Sequence, residues 1–146
     1  MLYFDSTYLF RVYCTEPGHE AVKLLLSQTG QLAIAWHGRA EFASILLRKR
    51  REASTSPEQL AYLADQFQDD CRMALIELLP LTEAVMTRLE TVLTSAPAAT
   101  NIRAADALHL ACAAEHGFTE VYSNDRLFLA TAPLFGLKGV NVITEP

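Results

Sequence analysis

Short unbroken apolar runs alternate along this chain with longer stretches in which apolar residues recur every three or four positions. Leu2-Tyr3-Phe4 is a brief run that stops at Asp5. Glu16-Pro17-Gly18-His19 reads as a turn. After Glu20, the residues Ala21, Val22, Leu24, Leu25 and Leu26 predict a helix that ends at Gly30. Leu32-Ala33-Ile34-Ala35-Trp36 is continuously apolar, the pattern of a strand buried on both faces, and His37-Gly38 breaks it. A helix follows over 39–51, with Phe42, Ala43, Leu46 and Leu47 on one face.

Ser56-Pro57-Glu58-Gln59 is a helix start: Ser56 caps, Pro57 suits the first helical position and Gln59 completes a capping box. That helix carries Leu60, Leu63, Ala64 and Phe67. Met73 to Leu79 reads as a strand closed by Pro80, and Thr82 caps a helix running to about Leu93. Residues 95–101 form a small-residue loop. A helix is expected from Ile102 to His116, stopped by Gly117, then a strand at Glu120-Val121-Tyr122. Asn124-Asp125 opens a short helix, Gly136 and Gly139 frame a turn, and Val140 to Ile143 is a last strand. Strands alternating with helices predict βαβ units around a parallel sheet, an α/β fold.

At 146 residues the chain has the length of one domain, 1–146. It is 51% hydrophobic and 20% charged, too apolar for a disordered chain. No apolar run approaches the roughly 18 residues of a membrane span. Asp5 and Arg11 interrupt the apolar start and no basic segment precedes it, so no secretory signal is expected. Cys14, Cys71 and Cys112 show neither a disulfide framework nor zinc spacing, and read as reduced core residues of a cytoplasmic protein. The net charge of −5 excludes a basic nucleic-acid coat; an anionic substrate would need a local device to overcome it.

Ligand sites in open α/β sheets lie at the carboxyl ends of strands. Asp5 and Asp125 each follow a strand, and Glu41 lies in the first turn of the helix after the second one. Asp106 sits inside a helix, on the stripe of Ile102, Leu110 and Ala113. Each acid also has an ordinary structural use. Asp5 and Asp125 suit helix caps, and Glu41 suits a helix dipole. Asp106 suits a salt bridge to Arg103 or Arg126, or a hydrogen bond to His109. Gathered together, however, each close pair would repel by about 4 kcal/mol at ~4 Å and an effective dielectric near 20. The usual compensation is a hard divalent cation, Mg²⁺ or Mn²⁺.

Other chemistries lack their residues. His19, His37, His109 and His116 show no zinc-ligand spacing, and there is no P-loop, GxGxxG or GxSxG. His109 reads as a packed, hydrogen-bonded residue rather than a general base, and Trp36 as core rather than a base-stacking platform. The run Arg48 to Arg51 reads as a solvated helix end, with contact to RNA phosphates as the alternative.

Leu2-Tyr3-Phe4-Asp5-Ser6-Thr7, followed by Tyr13 and Glu16-Pro17-Gly18, resembles the opening of PIN-domain proteins, in particular VapC-type toxins of toxin–antitoxin pairs. Arg39-Ala40-Glu41-Phe42 resembles their second acidic motif, Arg103 to Ala111 closely resembles the third, and Ser123-Asn124-Asp125-Arg126-Leu127 the fourth. The resemblance spans nearly the whole chain, with the third motif the most specific. It implies a three-layer fold with a mostly parallel five-stranded sheet between helices. It implies that Asp5, Glu41, Asp106 and Asp125 form one pocket holding Mg²⁺ or Mn²⁺. Ser6, Thr7 and Asn124 would then orient ligands, water or phosphate. The first motif reads Asp-Ser-Thr where Asp-Thr-Ser or Asp-Thr-Asn is commoner, which keeps both hydroxyls.

The resemblance further implies endoribonuclease activity on RNA, inhibition by a cognate antitoxin, and a homodimer. An alternative from another class is a protein-binding module without significant catalysis, presenting Tyr62 and Phe67 to a partner helix; both aromatics equally suit core packing. A phosphatase with Asp5 as nucleophile would normally carry a second aspartate two residues on, where this chain has Thr7.

Overall fold

A computed structural model of the chain describes residues 1–144. Five strands are formed: β1 (Leu2–Tyr3), β2 (Leu32–Ala35), β3 (Ile76–Leu79), β4 (Glu120–Tyr122) and β5 (Lys138–Val140). All their pairings are parallel. β1-β2-β3 form one sheet in that order and β4-β5 a second. The two are joined by a parallel bridge between Phe4 and Tyr122, and by the Asp5 amide donating to the Tyr122 carbonyl at 3.1 Å. The chain thus builds outward from β1 to β3, then returns to the other side of β1 for β4 and β5. The point of reversal lies between β1 and β4, where an α/β sheet opens a crevice at its carboxyl edge.

Among the described residues seven helices connect the strands: α1 (Ser6–Tyr13), α2 (His19–Ser27), α3 (Gly38–Arg51), α4 (Pro57–Arg72), α5 (Glu83–Ser95), α6 (Ala104–Glu115) and α7 (Arg126–Thr131), the last continued by a 3-10 turn, Ala132–Phe135. Successive strand side chains point to opposite faces, so the strands feed two cores. Tyr3, Ala33, Ala35 and Val121 pack with α5, α6 and α7. Phe4, Leu32, Ile34 and Tyr122 pack with α1 to α4. This is the expected three-layer α/β fold, and β2 is buried at every position because helices cover both its sides.

Several boundaries differ from expectation. β3 starts at Ile76 rather than Met73, because Ala74 turns with φ 57°, a left-handed conformation that no strand contains. Met73 and Leu75 are exposed. β5 covers Lys138–Val140, not Val140 to Ile143, so Gly139 lies within a strand and not in a turn. A Cβ there would come within 3.1 Å of the Leu129 backbone, so glycine serves a close approach of β5 to α7. Trp36 is 51% exposed, with the Arg39 guanidinium 5.1 Å over its ring, and is not core. Phe67 is core, stacked on Phe42 at 4.5 Å, whereas Tyr62 is 56% exposed. Cys112 is buried, while Cys14 and Cys71 are half-buried, all with free thiols. No described helix is long and apolar enough to cross a membrane.

Candidate active site

Helices in βαβ units run antiparallel to the strands, so their N-termini gather at the carboxyl edge of the sheet. Asp5 caps α1 directly after β1, and Glu41 lies in the first turn of α3 after β2. Asp106 lies in the first turn of α6, which leads into β4, and Asp125 caps α7 after it. Four partial positive helix ends therefore point toward this edge, which favours carboxylates there.

Asp5 is 3% exposed. Its Oδ1 accepts from the Tyr8 amide at 2.9 Å, and the Thr7 hydroxyl lies 2.8 Å away. Ser123 donates to Oδ2. Burial pushes this carboxyl above its ordinary value, although the bonds from Ser123, the Tyr8 amide and Thr7 pull the other way. No lysine or arginine among the described residues pairs with it. Thr7 also stands 2.8 Å from Asn124 Oδ1, so Asn124 touches the site through Thr7.

Glu41 is held from behind. His109, wholly buried, places Nε2 2.5 Å from Glu41 Oε2 and Nδ1 3.0 Å from the Tyr3 hydroxyl. An ionised carboxylate only accepts, so Nε2 carries a proton toward Glu41. Burial raises the Glu41 carboxyl, but the His109 hydrogen bond and charge outweigh it, with help from His37, and hold it below its ordinary value. His37 packs against His109, ring centroids 4.2 Å apart and planes tilted by 41°, and donates from Nε2 to the Ala105 carbonyl at 2.9 Å. Burial and the neighbouring His109 hold His37 below its ordinary value.

Of the three alternatives for Asp106, the structure selects Arg103. Its Nε donates to Asp106 Oδ2 at 2.8 Å, and its Nη2 donates to Asp125 Oδ2 at 3.1 Å. Asp125 also accepts from the amides of Leu127 and Phe128, so it performs the capping role as well. The Arg103 side chain is 72% exposed, and an ion pair of that kind is weakly held.

Asp5, Glu41 and Asp106 line one cavity of about 290 Å³, with Ser6 and Thr7 on its wall. Asp125 and Asn124 are outside that lining and join it through Arg103 and Thr7. Among the described residues, the one set of three side chains whose ligand atoms lie within 4.8 Å of one another is His37, Glu41 and His109, not the aspartates. The cavity's donors are carboxylate and hydroxyl oxygens, the chemistry of a hard divalent cation. Asp5, buried without a cationic partner, is the residue whose environment most calls for one. The residues present therefore fit such an ion.

Tyr3, His37 and Ser123 support the acids and were not expected to do so. Tyr3 and His109 lie 106 positions apart, and no spacing rule joins them. Ser123 had a signal, since it directly precedes Asn124-Asp125 in the fourth motif.

The family model for the PIN domain matches residues 2–133. No curated protein matches the sequence. Among solved structures, the crystal structure of FitAcB from Neisseria gonorrhoeae is similar, with TM-score 0.77 and 17% identity over 99% of this chain and 100% of that one. VapBC2 from Rickettsia felis, bound to a DNA fragment from its promoter, has TM-score 0.69 and 15% identity over 97% and 98%. A toxin–antitoxin complex from Klebsiella pneumoniae has TM-score 0.65 and 13% identity over 97% and 98%. At these identities the likeness is one of fold.

Proposed function

The chain belongs to the PIN domain family, and from that premise we propose that it is a metal-dependent endoribonuclease, the VapC-type toxin of a toxin–antitoxin pair acting in the cytoplasm. The observation that carries this reading is the gathering of Asp5, Glu41 and Asp106 on one cavity at the reversal point of the sheet. Asp5, Asp106 and Glu41 would hold Mg²⁺ or Mn²⁺, with Asp125 beside them. When bound, the ion supplies a lowered pKa for water and neutralises charge developing on the phosphate. Glu41, kept ionised and fixed in place by His109, would orient the attacking water. Thr7 and Asn124 set the direction of Asp5 and offer hydrogen bonds to the substrate, with Ser6 beside them on the cavity wall. Both Asp5 oxygens already accept hydrogen bonds, which suits a ligand held still better than a nucleophile.

A cognate antitoxin and a second copy of the chain complete the proposal. One solved structure of this fold is a toxin–antitoxin complex by description, and Tyr62 on α4 is an exposed aromatic available to a partner helix.

The test is cleavage of a panel of structured RNAs, tRNA included, by the isolated chain across a titration of Mg²⁺ and Mn²⁺. Cleavage is expected to require the ion, to stop with chelator, and to be absent in Asp106→Asn, whose fold is retained. Equal cleavage by Asp106→Asn, with contaminating nuclease excluded, would overturn the assignment of the acidic cavity as the catalytic site, and no cleavage by the parent with either ion would leave partner binding as the function.

A further inference from the structure

Of the basic run at the end of α3, only Arg48 lines the acidic cavity. Lys49 is committed elsewhere: it pairs with Glu16 and lies 5.6 Å over the Phe10 ring. Glu41, Ser44, Ile45 and Arg48 fall at spacings of three, one and three, which places them on one face of the helix. All four border the cavity. Arg48 lies seven residues beyond Glu41, about 10 Å along the axis. Helical side chains lean toward the N-terminus, which keeps a long arginine on this face over the turn that carries Ser44 and Ile45. Among the described residues its ionic partner is Glu52, at 3.9 Å with both side chains about half exposed, a pairing that yields readily.

A helix dipole explains basic residues at this helix end in general, but not why one of them borders a cavity of carboxylates. With a net charge of −5 and three acids in the cavity, a polyanion needs a local positive group to approach, and the other arginine on the lining, Arg103, is already tied to Asp106 and Asp125. We propose that Arg48, with the Ser44 hydroxyl one turn before it, forms a phosphate-binding subsite for the RNA backbone. It takes a phosphate neighbouring the scissile one and lays the strand along α3. The subsite rests on the nuclease reading for its substrate but is read out by binding alone. Contact to backbone phosphate positions the strand and carries no base preference.

The experiment measures fluorescence anisotropy of a labelled single-stranded RNA oligonucleotide with Asp106→Asn protein, so that no turnover occurs, as a function of salt. Added to that background, Arg48→Ala is expected to weaken binding about 5–10-fold and to lower the salt slope by about 0.7, the share of one single-strand phosphate contact. Arg50→Ala, exposed on the same helix end but away from the cavity, is expected to leave both unchanged. With catalysis intact, Arg48→Ala should raise KM and spare kcat, the mark of uniform binding. Equal affinity and slope for Arg48→Ala and Arg50→Ala, or no RNA binding by the parent, would overturn the subsite. Loss of binding in Arg48→Ala from a protein that cleaves nothing keeps the subsite and overturns the nuclease. Cleavage with binding indifferent to Arg48 does the reverse.

Discussion

His109 Nε2 lies 2.5 Å from Glu41 Oε2 and ties α6 to α3 across 68 positions of sequence. The same ring meets the Tyr3 hydroxyl on β1, so one buried imidazole connects a strand and two helices behind the acidic cavity. His109→Ala removes the imidazole partner of both Tyr3 and Glu41 and opens a void. It should cost about 2–4 kcal/mol in urea unfolding. Tyr3→Phe removes one hydroxyl and should cost about 1 kcal/mol. If His109→Ala unfolds at the same urea concentration as the parent, the link contributes nothing to the fold.

Asp5 and Glu41 should pull stability in opposite directions with pH. Glu41 is held below its ordinary value near 4.5, so its interactions stabilise the fold above that pH and are lost as pH falls through the lower folded value. Asp5 is pushed above 3.8 by burial, so its ionised form costs stability as pH rises through the raised value. In chelator, between pH 3 and 8, Asp5→Asn should gain on the parent as pH rises, while Glu41→Gln should lose. Urea midpoints across that range check both signs, and parallel curves for the two variants would contradict the assignment.

Much of this site was legible because its acids sit where local rules place them. Asp5, Asp125 and Glu41 directly follow strands or open helices, positions that short-range pattern locates well. Capping does not exhaust a carboxylate, since Asp125 caps α7 and also meets Arg103. What sequence pattern missed depends on long-range packing or on backbone conformation. The apolar residues Met73 and Leu75 look like strand, but the left-handed turn at Ala74 decides otherwise. Gly139 looks like a turn residue, yet it serves the packing of β5 against Leu129. Trp36 ends an apolar run and looks buried, but it follows the last residue of β2 and stacks with Arg39 at the surface. The expected crowding of four carboxylates is also only partly met. Three share the cavity, and a guanidinium stands between Asp106 and Asp125.

Gly38 permits the placement of Glu41. A Cβ there would lie 2.5 Å from Ile34 Cδ1 and 2.6 Å from Cγ1, inside a core strand where Ile34 is wholly buried. Gly38→Ala must push the start of α3 off β2 or move Ile34 from its rotamer, a cost of about 1–3 kcal/mol. Better helix propensity offsets less than about 1 kcal/mol of that. A net loss of stability with reduced cleavage, because Glu41 lies one turn on, is the expected outcome. A variant more stable than the parent would show that α3 does not depend on this close approach.

Arg103 would compete with a bound cation for two of the acids. Its guanidinium bridges Asp106 and Asp125, and as an exposed pair the bridge is worth at most about 1 kcal/mol. A divalent ion binding Asp106 must break or distort that bridge, so removing the arginine removes a competitor. Arg103→Ala should therefore bind Mn²⁺ up to about fivefold more tightly by calorimetry at low ionic strength, the equivalent of ~1 kcal/mol. In chelator the variant should be slightly less stable than the parent, because Asp106 is nearly buried and loses its partner. Added Mn²⁺ should raise its urea midpoint by more than it raises the parent's, because an ion that binds the folded state more tightly stabilises it more. Weaker Mn²⁺ binding by Arg103→Ala would mean that the arginine holds the acids in position for the ion and does not stand in its place.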